Sequence, residues 1–136
     1  MNDTVNILLA EDNPGDVFLV GEALKAHGLI VSLHVAYDGE QAISFIDAAD
    51  QNENAPRPDV ALVDLNLPKK SGLEVLTRLR RSVTSANIPV AVISSSPRAA
   101  ESVAKAELHA DYYFTKPSDY NQFMVLGEIV KKLLNR

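Results

Sequence analysis

Two acidic residues, Glu11 and Asp12, follow directly on an apolar run of strand length, and a third, Asp64, closes another such run at Val60-Ala61-Leu62-Val63. A hydroxyl pair, Ser94-Ser95, ends a further run, and Lys116-Pro117 ends the last. Carboxylates brought together repel; at about 4 Å and an effective dielectric near 20, each pair costs roughly 4 kcal/mol. A cation relieves that repulsion. Oxygen ligands without histidine or thiolate suit Mg²⁺, which keeps several waters and is usually held by one or two carboxylates plus phosphate. A carboxylate beside Mg²⁺ can attack phosphorus to form an aspartyl-phosphate, and a positioned lysine can balance the added charge. A serine hydroxyl can donate a hydrogen bond to one phosphoryl oxygen. Together these groups describe a covalent phosphate switch, with Asp64 held rigidly at a strand end, as phosphoryl transfer by positioning and electrostatics requires.

Residues so far apart in sequence meet only if the elements between them bring the strand ends together. Val5 to Ala10 is a strand, and Asn13-Pro14 then supplies an N-cap and a proline at the first helical position. Val17, Val20 and Leu24 recur at helical spacing, and Gly28 stands where a left-handed stop is needed. Ile30 to Tyr37 alternates, with Val31, Leu33 and Val35 on one face, as in a half-buried strand nearer an edge. Asp38-Gly39 turns into a helix striped by Ala42, Ile43, Phe45, Ile46 and Ala49, and the polar stretch from Asp50 to Pro58 reads as a surface loop. Val60 to Val63 is apolar without alternation, the pattern of a central parallel strand covered on both faces. Leu73, Leu76 and Leu79 mark a third helix, Pro89 to Ile93 a fourth strand, Pro97 to Leu108 a fourth helix and Asp111 to Thr115 a fifth strand. Phe123, Leu126, Val130 and Leu133 mark one last helix after Pro117. Alternating strands and helices imply an α/β three-layer sandwich of flavodoxin-like (βα)5 type, with a five-stranded parallel sheet in the order 2-1-3-4-5. In such a sheet the carboxyl ends of the strands converge at a topological switch point.

The chain has 136 residues, 46% hydrophobic and 23% charged, which fits one compact domain with one core. A formal charge of −5 offers no broad cationic surface for nucleic-acid phosphates or anionic lipid. The absence of cysteine excludes disulfides, thiolate metal sites and cysteine nucleophiles. No stretch reaches the roughly 18 apolar residues of a membrane span, and the start lacks the pattern of a secretory signal. The expectation is a cytoplasmic protein that binds neither nucleic acid nor membrane.

These residues resemble a known family, the receiver domains of two-component response regulators, across essentially the whole chain. The resemblance is carried by Glu11-Asp12, by Val63-Asp64-Leu65-Asn66-Leu67-Pro68 followed by Gly72, by Val92-Ile93-Ser94-Ser95 and by Lys116-Pro117. It implies that residues 1–136 form a single receiver domain with no output domain. It implies further that a sensor histidine kinase donates a phosphoryl group to Asp64 with Mg²⁺ as cofactor. By the same resemblance Asp12 and Asp64 bind the metal through their side chains, Glu11 assists through water and Asn66 offers its backbone carbonyl. Ser94 and Lys116 contact the phosphoryl group, and Tyr113 turns inward when the Ser94 hydroxyl moves. Asn66 and Ser96 tune how fast the group is lost. The protein then modifies itself and turns over no free substrate, apart from slow hydrolysis of its own acyl phosphate. Asp12-Asn13-Pro14-Gly15-Asp16, the loop from 50 to 58 and Tyr113-Phe114-Thr115-Lys116-Pro117 look most like the small single-domain regulators paired with phytochrome-type histidine kinases. Signals would leave through a downstream protein target.

Simpler roles compete for several of these residues. Asp64 could cap a following turn, Ser94-Ser95-Ser96 could cap the helix expected from Pro97, and Ser96 is read as doing so. Tyr113 could be an ordinary strand aromatic. His27, His34 and His109 are read as surface residues that bind no metal, and Lys69-Lys70 as loop charge or a contact for a partner or phosphodonor. Val103, Tyr112, Phe123 and Val130 could serve either the core or a homodimer face built from the fourth helix, fifth strand and last helix. Rival functions are an aspartate-nucleophile phosphatase, suggested by Asp64-Leu65-Asn66, a flavin-binding module, and a receiver-like binding domain that is not phosphorylated. Carboxylates in the first loop disfavour the flavin module, where a flavin phosphate would want amides and hydroxyls.

Overall fold

The computed structural model describes residues 4–135. Strands β1 (Val5–Ala10), β2 (Val31–Ala36), β3 (Val60–Asp64), β4 (Val90–Ser94) and β5 (Tyr112–Thr115) form one sheet in the order β2-β1-β3-β4-β5. Every pairing is parallel, and the order is the one the sequence led us to expect. The central strands are buried on both faces, which explains their unbroken apolar runs. Ile7, Leu9, Val60, Leu62, Ala91 and Ile93 point into one core layer, whereas Leu8, Ala10, Ala61, Val63, Val90 and Val92 point into the other. The first layer is closed by α1 (Pro14–Ala26), α5 (Tyr120–Phe123) and α6 (Val125–Leu133), and the second by α2 (Gly39–Gln51), α3 (Gly72–Arg80) and α4 (Ala99–Lys105).

The starts of α1, α2 and α3 at the site end of the sheet are fixed by side-chain caps. Asn13 accepts from the Asp16 N–H at 3.1 Å, with Pro14 opening α1. Asp38 accepts from the Gln41 N–H at 2.7 Å, and Ser71 and Glu74 form a reciprocal capping box on α3. Gly28 adopts the positive φ of 72° that its stop position demands.

Several expectations are corrected or narrowed. The fourth helix starts at Ala99 rather than Pro97, with no side-chain cap on it; the Ser96 hydroxyl instead accepts from the Arg98 N–H at 3.1 Å and closes a turn upstream. The last helix is two segments joined through Met124, because the backbone tightens there and Gly127 N–H bonds back to Met124 C=O at 3.2 Å. Val103, Phe123 and Val130 belong to the core, and of the four residues offered for a dimer face only Tyr112 is exposed. His34 is not a plain surface residue, since its Nε2 lies 3.0 Å from Asn6 Oδ1 and its ring stacks on Phe45 with centroids 4.9 Å apart. His27 is likewise half-buried, whereas His109 is exposed.

The polar loop also begins later than Asp50, which lies inside α2 and nearly buried. Its carboxylate accepts from Ser82 Oγ at 2.6 Å, Thr84 Oγ1 at 2.7 Å and Arg78 Nη2 at 2.8 Å, while Arg78 Nε reaches Asp47 at 2.8 Å. This network ties the end of α2 to the turn after α3. Burial opposes ionisation, but Ser82, Arg78 and Thr84 together hold the Asp50 carboxyl well below the usual carboxylate range. Its folded pKa is depressed, so its stabilisation is present above the unfolded value of about 3.9 and is lost as pH falls through the folded value. Asp50→Asn is expected to cost about 2 kcal/mol at neutral pH. Denaturant unfolding checks this: the gap between the two proteins should narrow at about pH 3, and a gap independent of pH would refute the electrostatic account.

Candidate functional site

At the carboxyl edge of the sheet, β1 runs into Glu11 and Asp12, β3 ends on Asp64, β4 ends on Ser94 and β5 runs into Lys116. Register makes the convergence inevitable, because Ala10 lies beside Val63, Asp64 beside Ile93 and Ser94 beside Thr115. Backbone bonds fix the two flanking residues: Glu11 N–H donates to Ala36 C=O at 2.9 Å, and Lys116 N–H to Ser94 C=O at 2.8 Å.

Glu11 is fully buried and Asp64 is 5% exposed, whereas Asp12 stands at the rim. One ligand atom from each lies within 4.8 Å of the others. The Lys116 ammonium sits among carboxylates, 2.5 Å from Glu11 Oε1, 2.8 Å from Asp64 Oδ2 and 2.8 Å from Asp16 Oδ2. Burial alone would lower the lysine's pKa; Asp16, Asp64 and Glu11 outweigh it and raise it. Burial pushes the Glu11 carboxyl up, against the lowering influence of Lys116 and of the Asn13 N–H that bonds Oε2 at 3.1 Å. Lys116 is therefore a permanent cation, while burial weighs against the charge on Glu11.

This site fits a hard divalent cation. Its donors are all oxygens, and the buried Glu11 Oε1 has no aligned hydrogen bond, meeting Lys116 only as a close ion pair. The Lys116 ammonium offsets part of the cost of burying that oxygen, and a divalent cation shared with Asp12 and Asp64 would offset more of it.

The remaining candidates flank this centre. Asn66 is exposed and donates its backbone N–H to Asp64 Oδ1 at 3.0 Å, which fixes the carboxylate's orientation. Ser94 is buried, and its hydroxyl oxygen accepts from the Ser96 N–H at 3.0 Å. Ser96 itself is exposed. Tyr113 stands beside Val92 in the sheet register, with 37% of its surface exposed. Lys69 is exposed with a positive φ of 69° and reaches Asp38 at 3.6 Å, pairing two loops at this edge.

Asp16 is the site residue that sequence reasoning missed. At the third position of a capped helix, an aspartate is already accounted for by the helix dipole. The available signal was that the same first turn follows the acidic pair, so its carboxylate faces the same edge.

The family model described as the response regulator receiver domain matches residues 7–126. The chain is 41% identical over 110 residues to the response regulator Rcp1 of Synechocystis sp., a match covering 81% of this chain and 75% of that protein. It superposes on the crystal structure of the phosphorylated cyanobacterial phytochrome response regulator RcpA with a TM-score of 0.83 and 32% identity, covering 97% of this chain and 94% of that one. The Mn²⁺-bound form of Rcp1 follows at a TM-score of 0.79 and 35% identity, covering 94% and 92%. Among the described residues no helix is long and apolar enough to cross a membrane. A family match over most of the chain, joined to relatives that share its fold nearly end to end, leaves one assignment: the chain belongs to the response regulator receiver domain family.

Proposed function

We propose that this chain is a phosphorylation-controlled switch that accepts a phosphoryl group on Asp64 from a histidine kinase and signals through a phosphorylation-dependent protein surface. The observation that carries this reading is the meeting of the Glu11, Asp12 and Asp64 carboxylates with Lys116, whose ammonium lies 2.8 Å from Asp64 Oδ2. An Asp64 carboxylate oxygen forms the new P–O bond as the donor's P–N bond breaks, and the leaving imidazole keeps the electron pair and takes a proton. Asn66 N–H on Oδ1 and Lys116 on Oδ2 hold the nucleophile in place, and Lys116 then balances charge on the phosphoryl oxygens. Ser94 uses a lone pair on the Ser96 N–H, so its own proton is available to a phosphoryl oxygen. Glu11, Asp12 and Asp64, with the Asn66 backbone carbonyl, are the groups to hold Mg²⁺, which when bound supplies further charge neutralisation at the phosphoryl group.

Conformational readout runs through Ser94 and the partly exposed Tyr113: movement of the hydroxyl toward phosphate opens space for the ring, shifting a two-state population. The surface that changes is the face of α4, β5 and α6, where Tyr112 and Val125 are exposed. That face would take a downstream protein target or a second copy of the chain. Asn66 and Ser96, exposed beside Asp64 and Ser94, set the lifetime of the acyl phosphate. Similarity to RcpA supports a phytochrome-type kinase as donor.

Intact-mass measurement after incubation with acetyl phosphate and Mg²⁺ tests the reading. One phosphoryl group per chain is expected, with the rate falling at least about a hundredfold when EDTA removes the metal. No added mass, under conditions that phosphorylate a reference receiver, would overturn it.

A further inference from the structure

Lys116 touches three carboxylates, but only two of them belong to the cluster suited to a divalent cation. Glu11 and Asp64 are members; Asp16 is not. An ion entering the cluster therefore draws on two carboxylates, Glu11 and Asp64, that already hold the ammonium. We propose that Asp16 is a positioning residue that keeps hold of Lys116 when a divalent cation occupies Glu11, Asp12 and Asp64, and so raises the cluster's affinity for the ion. The inference rests on the metal reading above.

Its geometry suits the role. Asp16 is held in the first turn of α1 by its N–H bond to Asn13 Oδ1 and by Pro14, and its carboxylate is 24% exposed, toward the rim. Lys116 is anchored by its own backbone bond to Ser94, so the long side chain pivots from a fixed base. Without Asp16 both remaining partners of the ammonium are members of the cluster, and two cations share the same two carboxylates. With Asp16 the ammonium keeps a partner of its own, beside the acceptor and clear of the ion.

Calorimetric titration of Mg²⁺ into the unphosphorylated full chain tests this. Asp16→Ala is expected to weaken binding about tenfold, the usual scale for losing a group that supports metal ligands. Asp16→Glu should recover part of the loss, and it also serves if the alanine variant does not fold. The decisive arm is a Lys116→Met background, in which the competing ammonium is gone and Asp16→Ala should change affinity by less than about twofold. A tenfold loss in both backgrounds means that Asp16 acts only as a nearby negative charge and overturns the proposal. Equal affinity of wild type and Asp16→Ala overturns it as well, while leaving the metal site intact. A wild-type chain that binds no Mg²⁺ overturns the metal reading and this inference together.

Discussion

Asp64→Asn is expected to leave a folded domain that acquires no phosphoryl group from acetyl phosphate or from a phosphohistidine donor. The amide is nearly isosteric and can still accept the Asn66 N–H through its oxygen, so the local turn survives. Lys116 keeps Glu11 and Asp16 as partners, and the acidic cluster loses one of its three mutually repelling charges. Loss of one ion pair and relief of repulsion offset each other, so stability should change by no more than about 1 kcal/mol. Reactivity has no such compensation. An amide nitrogen or oxygen is a poor nucleophile towards phosphorus, and no other carboxylate has the same relation to Lys116 and the Asn66 N–H. Incorporation should fall by at least about 10³-fold, the scale of deleting a nucleophile that its neighbours cannot replace. An intact-mass time course beside a thermal melt separates the two effects. A folded variant that gains phosphate at the wild-type rate would move the acceptor elsewhere, with Asp12 and Glu11 the first places to look.

Much of this site was legible before any coordinates because a parallel sheet reduces a three-dimensional question to a one-dimensional one. Each buried strand reads as an apolar run, and whatever polar residue ends the run arrives at the same edge as the others. Glu11, Asp64, Ser94 and Lys116 are all found in that way. Asp16 was not, because its bond to Lys116 spans 100 residues and its position has a sufficient local explanation at the start of α1. Asp50 was missed for the same reason: its partners Arg78, Ser82 and Thr84 lie 28 to 34 residues away, and a run of polar residues looks like loop until those partners are known. The shortened fourth helix is a different failure. Ser96 and Pro97 carry the signature of a helix start, but the serine's bond to Arg98 completes a separate turn, and local preference cannot choose between the two. Tyr113 shows the limit on the functional side. Its place in β5 was readable, whereas its degree of exposure is set by packing around an edge strand that local sequence does not specify.

Gly72→Ala is expected to damage the site at Asp64 along with the fold. A Cβ at Gly72 would lie 2.2 Å from the Asp64 carbonyl oxygen, 2.5 Å from Leu65 Cα and 2.8 Å from the Asp64 carbonyl carbon. All three are backbone atoms of the Asp64-Leu65 segment, so no side-chain rotation relieves the clash. The segment cannot drift away cheaply either. Gly72 N–H donates to Leu65 C=O at 3.0 Å, the Ser71-Glu74 capping box fixes the start of α3, and Asp64 is tied into β3. Relief requires α3 or the Asp64 backbone to shift by roughly 1 Å, and overpacking of that kind costs about 3 kcal/mol. A displacement of that size at a reacting group can also cost about 10²-fold in rate. The variant should therefore melt about 10 °C lower and take up phosphate about a hundredfold more slowly even at temperatures where it is folded. Gly21→Ala is the matched control, because a Cβ there meets nothing within 4 Å in the middle of α1. It should stabilise the protein by about 0.5–1 kcal/mol through helix propensity and leave phosphorylation unchanged. If both variants lose stability alike, the damage at Gly72 comes from the glycine backbone in general; if only Gly72→Ala does so, with phosphorylation slowed, the close approach of α3 to Asp64 is what places the acceptor.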